Sequence, residues 1–303
     1  MLAHCSSSLR EELAKAAKQP IDDLKTEHLR SLTEVDSHSK LITDEDCRLI
    51  GQLSGLVILR LISPLIGDNG TTHLTKLHIL RFLSLESTLI TDEAIPNIIK
   101  LTALESLRLD GTKVTDIGLT QLAKLKNLNS LYLNQTKVTC NGLLPFIKPG
   151  KLKNLWLNGI TAFDQDLEII CQFSNLEGLG LSGTGITDLG LSEISVMKWI
   201  SKLVLSETKV SNVGLREIVK MTSITSLFLS NTEVTDLGLV ELAKLPSLED
   251  FYLYNTKITD AGLAELAEIA TLQKLHITDT LITSHGAQLF ASKRPDVNLI
   301  KSV

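Results

Sequence analysis

The feature that most constrains this chain is a period of 24 residues. Leu104 to Asn127, LESLRLDGTKVTDIGLTQLAKLKN, carries Leu at positions 1, 4 and 6 (Leu104, Leu107, Leu109), Thr at 9 (Thr112) and Val at 11 (Val114). Thr115, Asp116, Gly118 and Leu119 follow, with Leu122 and Leu125 at positions 19 and 22. The first-position residue returns as Leu32, Leu56, Leu80, Leu104, Leu128, Leu152, Leu176, Ile200, Ile224, Leu248 and Leu272, which makes eleven repeats. A fixed period of this size signals a solenoid: one copy cannot bury its own apolar face, and stacked copies share a continuous core.

Within a repeat, Ser106-Leu107-Arg108-Leu109-Asp110 alternates, so the leucines face one way and the polar residues the other, as in a half-buried strand. Gly111 opens a turn. Thr115-Asp116 reads as a helix start, because their oxygens accept the unpaired N–H groups of a first turn. Leu119, Leu122 and Leu125 then give a short helix one buried stripe. Thr at position 9 recurs in eight of the eleven repeats: Thr88, Thr112, Thr136, Thr184, Thr208, Thr232, Thr256 and Thr280. A buried turn leaves backbone polar groups in need of partners, and a hydroxyl both donates and accepts, so a Thr ladder between coils is expected. The recurring Asp44, Asp68, Asp92, Asp116, Asp164, Asp188, Asp236 and Asp260 read as helix caps favoured by the helix dipole, not as a calcium ladder.

The pattern L-x-x-L-x-L-x-x-T-x-[IV]-T-D-x-G-L resembles a leucine-rich repeat with Thr in the usual Asn or Cys place. It is similar to the bacterial Thr-type repeats, and secondarily to the cysteine-containing repeats of F-box-associated proteins, over residues 21–303. The resemblance implies an α/β class, a right-handed horseshoe solenoid with a parallel sheet on the concave face and short helices on the convex face. It also implies protein binding along that concave sheet.

The expected organisation is an N-terminal helical cap over 1–31, repeats over 32–296 with the last of 25 residues, and a C-terminal edge strand over 297–303. Residues 1–8 are expected to be disordered, with a helix from Leu9 to Lys18 capped by Ser7 or Ser8 and stopped by Pro20. Pro64 and Gly67-Asp68-Asn69-Gly70 predict a short or irregular helix in repeat two. Repeats three to five read as regular, except where Pro145 and Pro149 disturb the fifth. Repeat six departs from the pattern at Ile160, Ala162 and Phe163. Val297 and Leu299 read as the edge strand, shielded by Lys301-Ser302-Val303.

Strand parity places positions 3, 5 and 7 outward, and consecutive repeats stack there about 4.8 Å apart. Only 12 of the 303 residues are aromatic, yet Phe82, Tyr132, Trp156, Phe228, Tyr252 and Tyr254 all fall on outward positions. Phe146, Phe173, Phe251 and Phe290 are assigned to the core. Outward aromatic rows supply contact area for a partner. The candidate partner-binding residues are therefore Arg60, Phe82, Arg108, Tyr132, Trp156, Phe228, Tyr252, Tyr254 and His276. Two clusters are expected: Tyr132 with Trp156, flanked by Asn134 and Asn158, and Phe228, Tyr252 and Tyr254 beside His276. A dip is expected between them at Gly178, Gly180 and Ser182. Glu86 and Asp110 lie near the arginines.

The net charge of −5 and a pI near 5.8 weigh against nucleic acid, whose binders carry a basic stripe. No run of 18 apolar residues predicts a membrane span. Cys5, Cys47, Cys140 and Cys171 form no C-x-x-C pair; Cys47 and Cys171 fall on core-facing positions and Cys140 at a helix start, so they read as buried free thiols. That favours the cytoplasm, and the chain is expected to be a monomer. The alternative is an extracytoplasmic lipoprotein anchored at Cys5, because Leu2-Ala3-His4-Cys5 is similar to a lipobox. Gly178-Leu-Gly180-Leu-Ser-Gly183 matches G-x-G-x-x-G but lies inside a strand, where no dinucleotide loop forms. No cofactor, metal set or catalytic constellation is expected, and the chain does not read as an enzyme. The predicted function is a non-catalytic module or scaffold for a protein partner. The alternative is the substrate-recognition subunit of a ubiquitin-ligase-type or other enzyme complex, docked through residues 1–31.

Overall fold

A computed structural model describes residues 5–148 and 150–301. Leu2, Ala3 and His4 of the lipobox reading, Pro149 and the Ser302-Val303 end of the tail lie outside the described residues. The chain divides into two compact units, Met1–Leu152 and Lys153–Val303.

The first unit holds β1 (Glu34–Ser37), β2 (Ile58–Leu61), β3 (Phe82–Ser84), β4 (Ser106–Arg108) and β5 (Ser130–Tyr132). The second holds β6 (Asn154–Trp156), β7 (Gly178–Gly180), β8 (Lys202–Val204), β9 (Ser226–Phe228), β10 (Asp250–Tyr252), β11 (Lys274–His276) and β12 (Asn298–Ile300). Within each unit, consecutive strands pair in parallel and in register, so that Arg60 lies opposite Asp36 and Tyr252 opposite Phe228. The 24-residue repeat is therefore one strand step. Leu107, Leu109, Leu203 and Leu205 are fully buried, as the alternation requires. Short helices such as Asp116–Leu122 return the chain to the next strand.

Two polar devices hold the coils, and neither is the Thr ladder expected from the sequence. The position-9 threonines bond inside their own coil. Thr112 Oγ1 donates to the Leu109 carbonyl at 2.7 Å, and Thr184 and Thr232 do the same to Leu181 and Leu229 at 2.6 Å. The link between coils is made instead by the aspartates read as caps. Asp92 Oδ1 accepts from the Thr115 backbone N–H at 2.8 Å, and its Oδ2 accepts from the Thr115 hydroxyl at 2.6 Å. Asp116 and Asp188 treat Thr139 and Ser211 alike. The Thr is the true cap, its Oγ1 accepting from the N–H two residues on, as Thr115 does from Ile117. The Gly of T-D-x-G-L belongs to the same device: a Cβ on Gly118, Gly214 or Gly262 would strike the carboxylate of the preceding coil's Asp92, Asp188 or Asp236. Asn212 substitutes once, its amide donating to Thr235 Oγ1 at 2.8 Å. Thr235 then makes no side-chain cap bond.

Several local readings change. Repeat two has a regular helix, Asp68–Leu74. Pro64 cannot make the position-9 bond within the coil. Ser63 beside it bonds back to the preceding coil instead, its hydroxyl donating to the Ile42 carbonyl at 2.7 Å, while Asp44 holds the Gly67 N–H at 2.7 Å. Repeat three is irregular, with a 3-10 turn Asp92–Ala94 before the short helix Ile95–Ile98, because Pro96 in its first turn has no N–H to donate. Pro145 divides repeat five in the same way, into Cys140–Leu143 and Leu144–Ile147. The first helix spans Ser7–Ala16, and Ser6 is its cap, accepting from Leu9 at 3.1 Å. Leu9 and Leu13 of that helix are fully buried, as a covering element requires. In repeat six, Ile160 and Ala162 are buried while Phe163 stands half exposed. The edge strand is β12, one residue beyond the buried Val297.

Candidate partner-binding face

The outward strand positions form rows, one residue per coil. In the first unit, each cation of these rows is both stacked and paired. The Arg60 guanidinium lies 4.6 Å from the Phe82 ring centroid and donates to Glu34 and Asp36 at 3.0 and 2.9 Å. Arg108 lies 4.5 Å over Tyr132, with Glu86 at 3.6 Å and Asp110 at 3.4 Å. Asp110 is held mainly by the scaffold, its Oδ1 accepting from the Asn134 N–H at 2.8 Å. Burial raises its pKa above the usual carboxylate value, against the opposing pull of the Asn134 N–H and Arg108.

The second unit is built differently. Phe228, Tyr252 and His276 are register neighbours on β9, β10 and β11. Their rings stack with centroids 4.0 and 4.2 Å apart and planes within 11° and 15°. All three are half-buried, because each ring covers the next. Tyr254 is not part of this stack; it stands 41% exposed at position 7. His276, read as a flank, is its third ring. The buried Nε2 of His276 has no hydrogen-bond partner among the described residues. Burial first, and then nearby Lys274, lower its pKa, while Asp250 opposes them.

The expected dip does not exist. Gly178 and Gly180 are buried, because the Trp156 indole lies over them. A Cβ on Gly180 would collide with Trp156 Cε3, and one on Gly178 would come within 3.5 Å of Cζ2. The two glycines are the bed of the indole. Asn158, read as a flank of the surface, serves the backbone, its Oδ1 accepting from the Ser182 N–H at 2.8 Å.

Two residues of this face were missed in the sequence. Lys202 Nζ lies between two rings, 5.2 Å from the Trp156 centroid and 5.3 Å from that of Phe228. Lys274 Nζ lies 5.6 Å from the Tyr252 ring. Both occupy outward position 3, so the same register that found the aromatics could have found them.

Among the described residues, no group of three or more His, Cys, Asp or Glu side chains is placed to hold a metal ion. No helix among them is long and apolar enough to cross a membrane. Cys47 is fully buried, and burial with Asp44 and Asp46 nearby pushes its pKa up to about 12. Cys171 is only half-buried, its Sγ 3.4 Å from the Glu193 carbonyl, because its place on the outer helical side leaves one flank open. Burial and Glu193 push it to about 11. Cys5 is raised to about 11, by burial and then Asp46. All three stay protonated and weakly nucleophilic near neutral pH.

The family model for leucine-rich repeats, in two copies, matches residues 222–267, which lie within the run of coils described above. The coils of this chain have the leucine-rich-repeat fold. A search of curated proteins returned no match. Among solved structures, this leucine-rich-repeat chain is similar to an internalin of Listeria monocytogenes, at 18% identity and a TM-score of 0.58, covering 100% of this chain and 96% of that one. It is similar to a leucine-rich-repeat protein of Leptospira interrogans at 21% identity and 0.56, covering 90% and 73%. It is also similar to a chain of the mouse RP105/MD-1 complex at 17% identity and 0.59, covering 84% of this chain and 44% of that one. These likenesses establish the fold: parallel strands in register, alternating with short helices, as a leucine-rich-repeat solenoid.

Proposed function

We propose that this leucine-rich-repeat protein is a non-catalytic binding module that takes a protein partner on the outward face of its parallel strands. The Phe228–Tyr252–His276 stack in the Lys153–Val303 unit forms the centre of that site. The observation that carries the reading is the stack itself. Three rings fixed by register and by one another form a half-exposed apolar platform, so a partner meets a surface whose ordering is already complete. Trp156 on its glycine bed extends the platform, and Tyr254 adds a ring with a polar tip. Arg60, Phe82, Arg108 and Tyr132 form a separate row in the first unit. The mouse structure of the same fold is titled as a complex of RP105 with MD-1, which supports a partner-binding role for such repeats.

The test is an affinity pulldown with the full chain and its Trp156→Ala/Tyr252→Ala variant, at matched thermal unfolding midpoints. Loss of one partner in the variant supports the face. An unchanged partner set rejects it and moves the search to the helical side and residues 1–31.

A further inference from the structure

The two lysines of this face are set apart by the rings they lie over. Among the described residues, Lys198, Lys209 and Lys257 of the same unit also hold no carboxylate, but none of them lies over a ring of the strand face. Four other lysines are paired. Lys153, Lys220, Lys244 and Lys293 each hold a glutamate, at 2.7, 2.6, 2.6 and 2.5 Å. Lys202 and Lys274 have no carboxylate within 4.0 Å among the described residues, and only ring faces approach their ammonium groups. Asp250, the acidic residue between them in the row, accepts instead from Ser226 Oγ at 3.2 Å. A ring face attracts a cation but takes none of its three N–H donors as a hydrogen-bond acceptor would. Each ammonium is thus positioned and left short of a counter-charge.

We infer that the partner presents an extended acidic segment to this face, with two carboxylates that engage Lys202 and Lys274 and an apolar side chain between them. The inference rests on the reading of the sheet face as the binding site and adds the partner's chemistry. The spacing sets the motif. Lys202 on β8 and Lys274 on β11 are three strand steps apart, about 14 Å at sheet spacing. An extended chain crossing the strands advances about 3.3 Å per residue and turns alternate side chains to one face. Residues i and i+4 therefore fall about 13 Å apart on the same side. Residue i+2 shares that side and falls midway, between β9 and β10, where Ser226 already holds the Asp250 carboxylate and the Phe228 and Tyr252 rings lie in the next outward row. The segment reads acidic-x-apolar-x-acidic. A nucleic acid fits less well: this face carries two lysines and an aspartate, with no arginine on positions 3, 5 or 7 of the unit, and the chain's net charge is −5.

The test pans a phage-displayed random nonapeptide library on the immobilised full chain and measures the enriched sequences as synthetic peptides by fluorescence polarisation. Carboxylates at i and i+4 around an apolar residue are expected. Affinity should fall about tenfold in Lys202→Met and in Lys274→Met, fall with added salt, and be unchanged in Lys220→Met. Lys202→Arg should retain most of it, which separates charge from side-chain shape.

Enriched peptides that need Trp156 and Tyr252 but carry no paired carboxylates keep the sheet face and overturn the acidic partner. Peptides indifferent to Trp156→Ala/Tyr252→Ala overturn both readings. An empty selection overturns the claim that an extended segment suffices. A dT15 oligonucleotide or an arrayed glycan that binds in a Tyr252-dependent way, with no acidic peptide enriched, also overturns it and assigns the face to that class.

Discussion

Both units set cations over rings on outward strand positions, arginines at position 5 in one and lysines at position 3 in the other, yet they leave those cations in opposite states. In Met1–Leu152, Arg60 and Arg108 lie over Phe82 and Tyr132 while Glu34, Asp36, Glu86 and Asp110 surround them. In Lys153–Val303, Lys202 and Lys274 lie over rings with no carboxylate within 4.0 Å among the described residues, the neighbouring Asp250 accepting from Ser226 instead. An arginine fork already engaged by carboxylates has little left to offer a partner. A compact ammonium held against an aromatic wall keeps its donors available. A repeated scaffold can therefore hold one stretch closed upon itself and keep another receptive by changing only outward residues.

The comparison breaks most severely if the rings are not the anchor. Trp156→Ala/Tyr252→Ala should weaken partner binding by about a hundredfold or more, the loss expected for paired hot-spot aromatics, while Phe82→Ala in the first unit should change it less than about threefold. Titration of the identified partner onto each variant measures both. The wiring of the first unit can also be transplanted. Val204→Glu places a carboxylate on the same strand face as Lys202 and should cost about tenfold in affinity, mostly recovered in Val204→Gln. Calorimetric titration at two salt concentrations separates the charge from the added bulk.

Next in size is the bed of the indole. Gly180→Ala should destabilise the chain by about 1–3 kcal/mol, because the added methyl must push Trp156 aside; thermal unfolding and Trp emission read the two consequences. The smallest effects are on pH dependence, and they have opposite signs in the two units. Burial raises the Asp110 pKa, so its contribution to stability is fully present below the unfolded carboxylate value and is lost as pH rises through the folded one. Asp110→Asn should remove that slope. Burial lowers the His276 pKa, so its contribution is present above the unfolded histidine value near 6.5 and is lost as pH falls through the folded one. His276→Phe should flatten that acid-side loss. Unfolding midpoints between pH 3 and 8 for the three proteins measure both slopes.

Much of this was legible in the sequence because one rule, side-chain alternation along a strand, acts identically in every repeat. Leu107 and Leu109 inside, Arg108 and Tyr252 outside, and β7 through Gly178–Gly180 all follow from parity and period. The direction of a side chain within its face does not. Trp156 turns along the sheet onto Gly178 and Gly180, and parity alone made those glycines a hollow. The Asp92–Thr115 bond was hidden for another reason. Its partners lie 23 residues apart, and Thr-Asp before a helix has a local explanation as a cap that needs no neighbour. The pairing of Asp with the Gly of the next T-D-x-G-L motif is a steric relation between copies, which a single copy cannot display. Lys202 and Lys274 were legible in principle, since the row at position 3 contains them. They lacked the compositional rarity that drew attention to the rings.

The carboxylate that reaches forward by 23 residues also bears on how such a chain can change over evolutionary time. Most of these aspartates recognise the following coil by its Thr hydroxyl, its N–H and its missing methyl, as Asp92, Asp116 and Asp236 do. Asp44 meets Gly67 in place of the Thr, and Asp68 meets a coil with Ala94 in place of the Gly. Copying or deleting one whole 24-residue module leaves an aspartate facing a suitable threonine and glycine. Inserting any other length into the helix-start segment strands it. Gene rearrangement is thereby channelled toward whole-module steps, and each step lengthens or shortens the outward rows by one rung without disturbing the bonds beneath them.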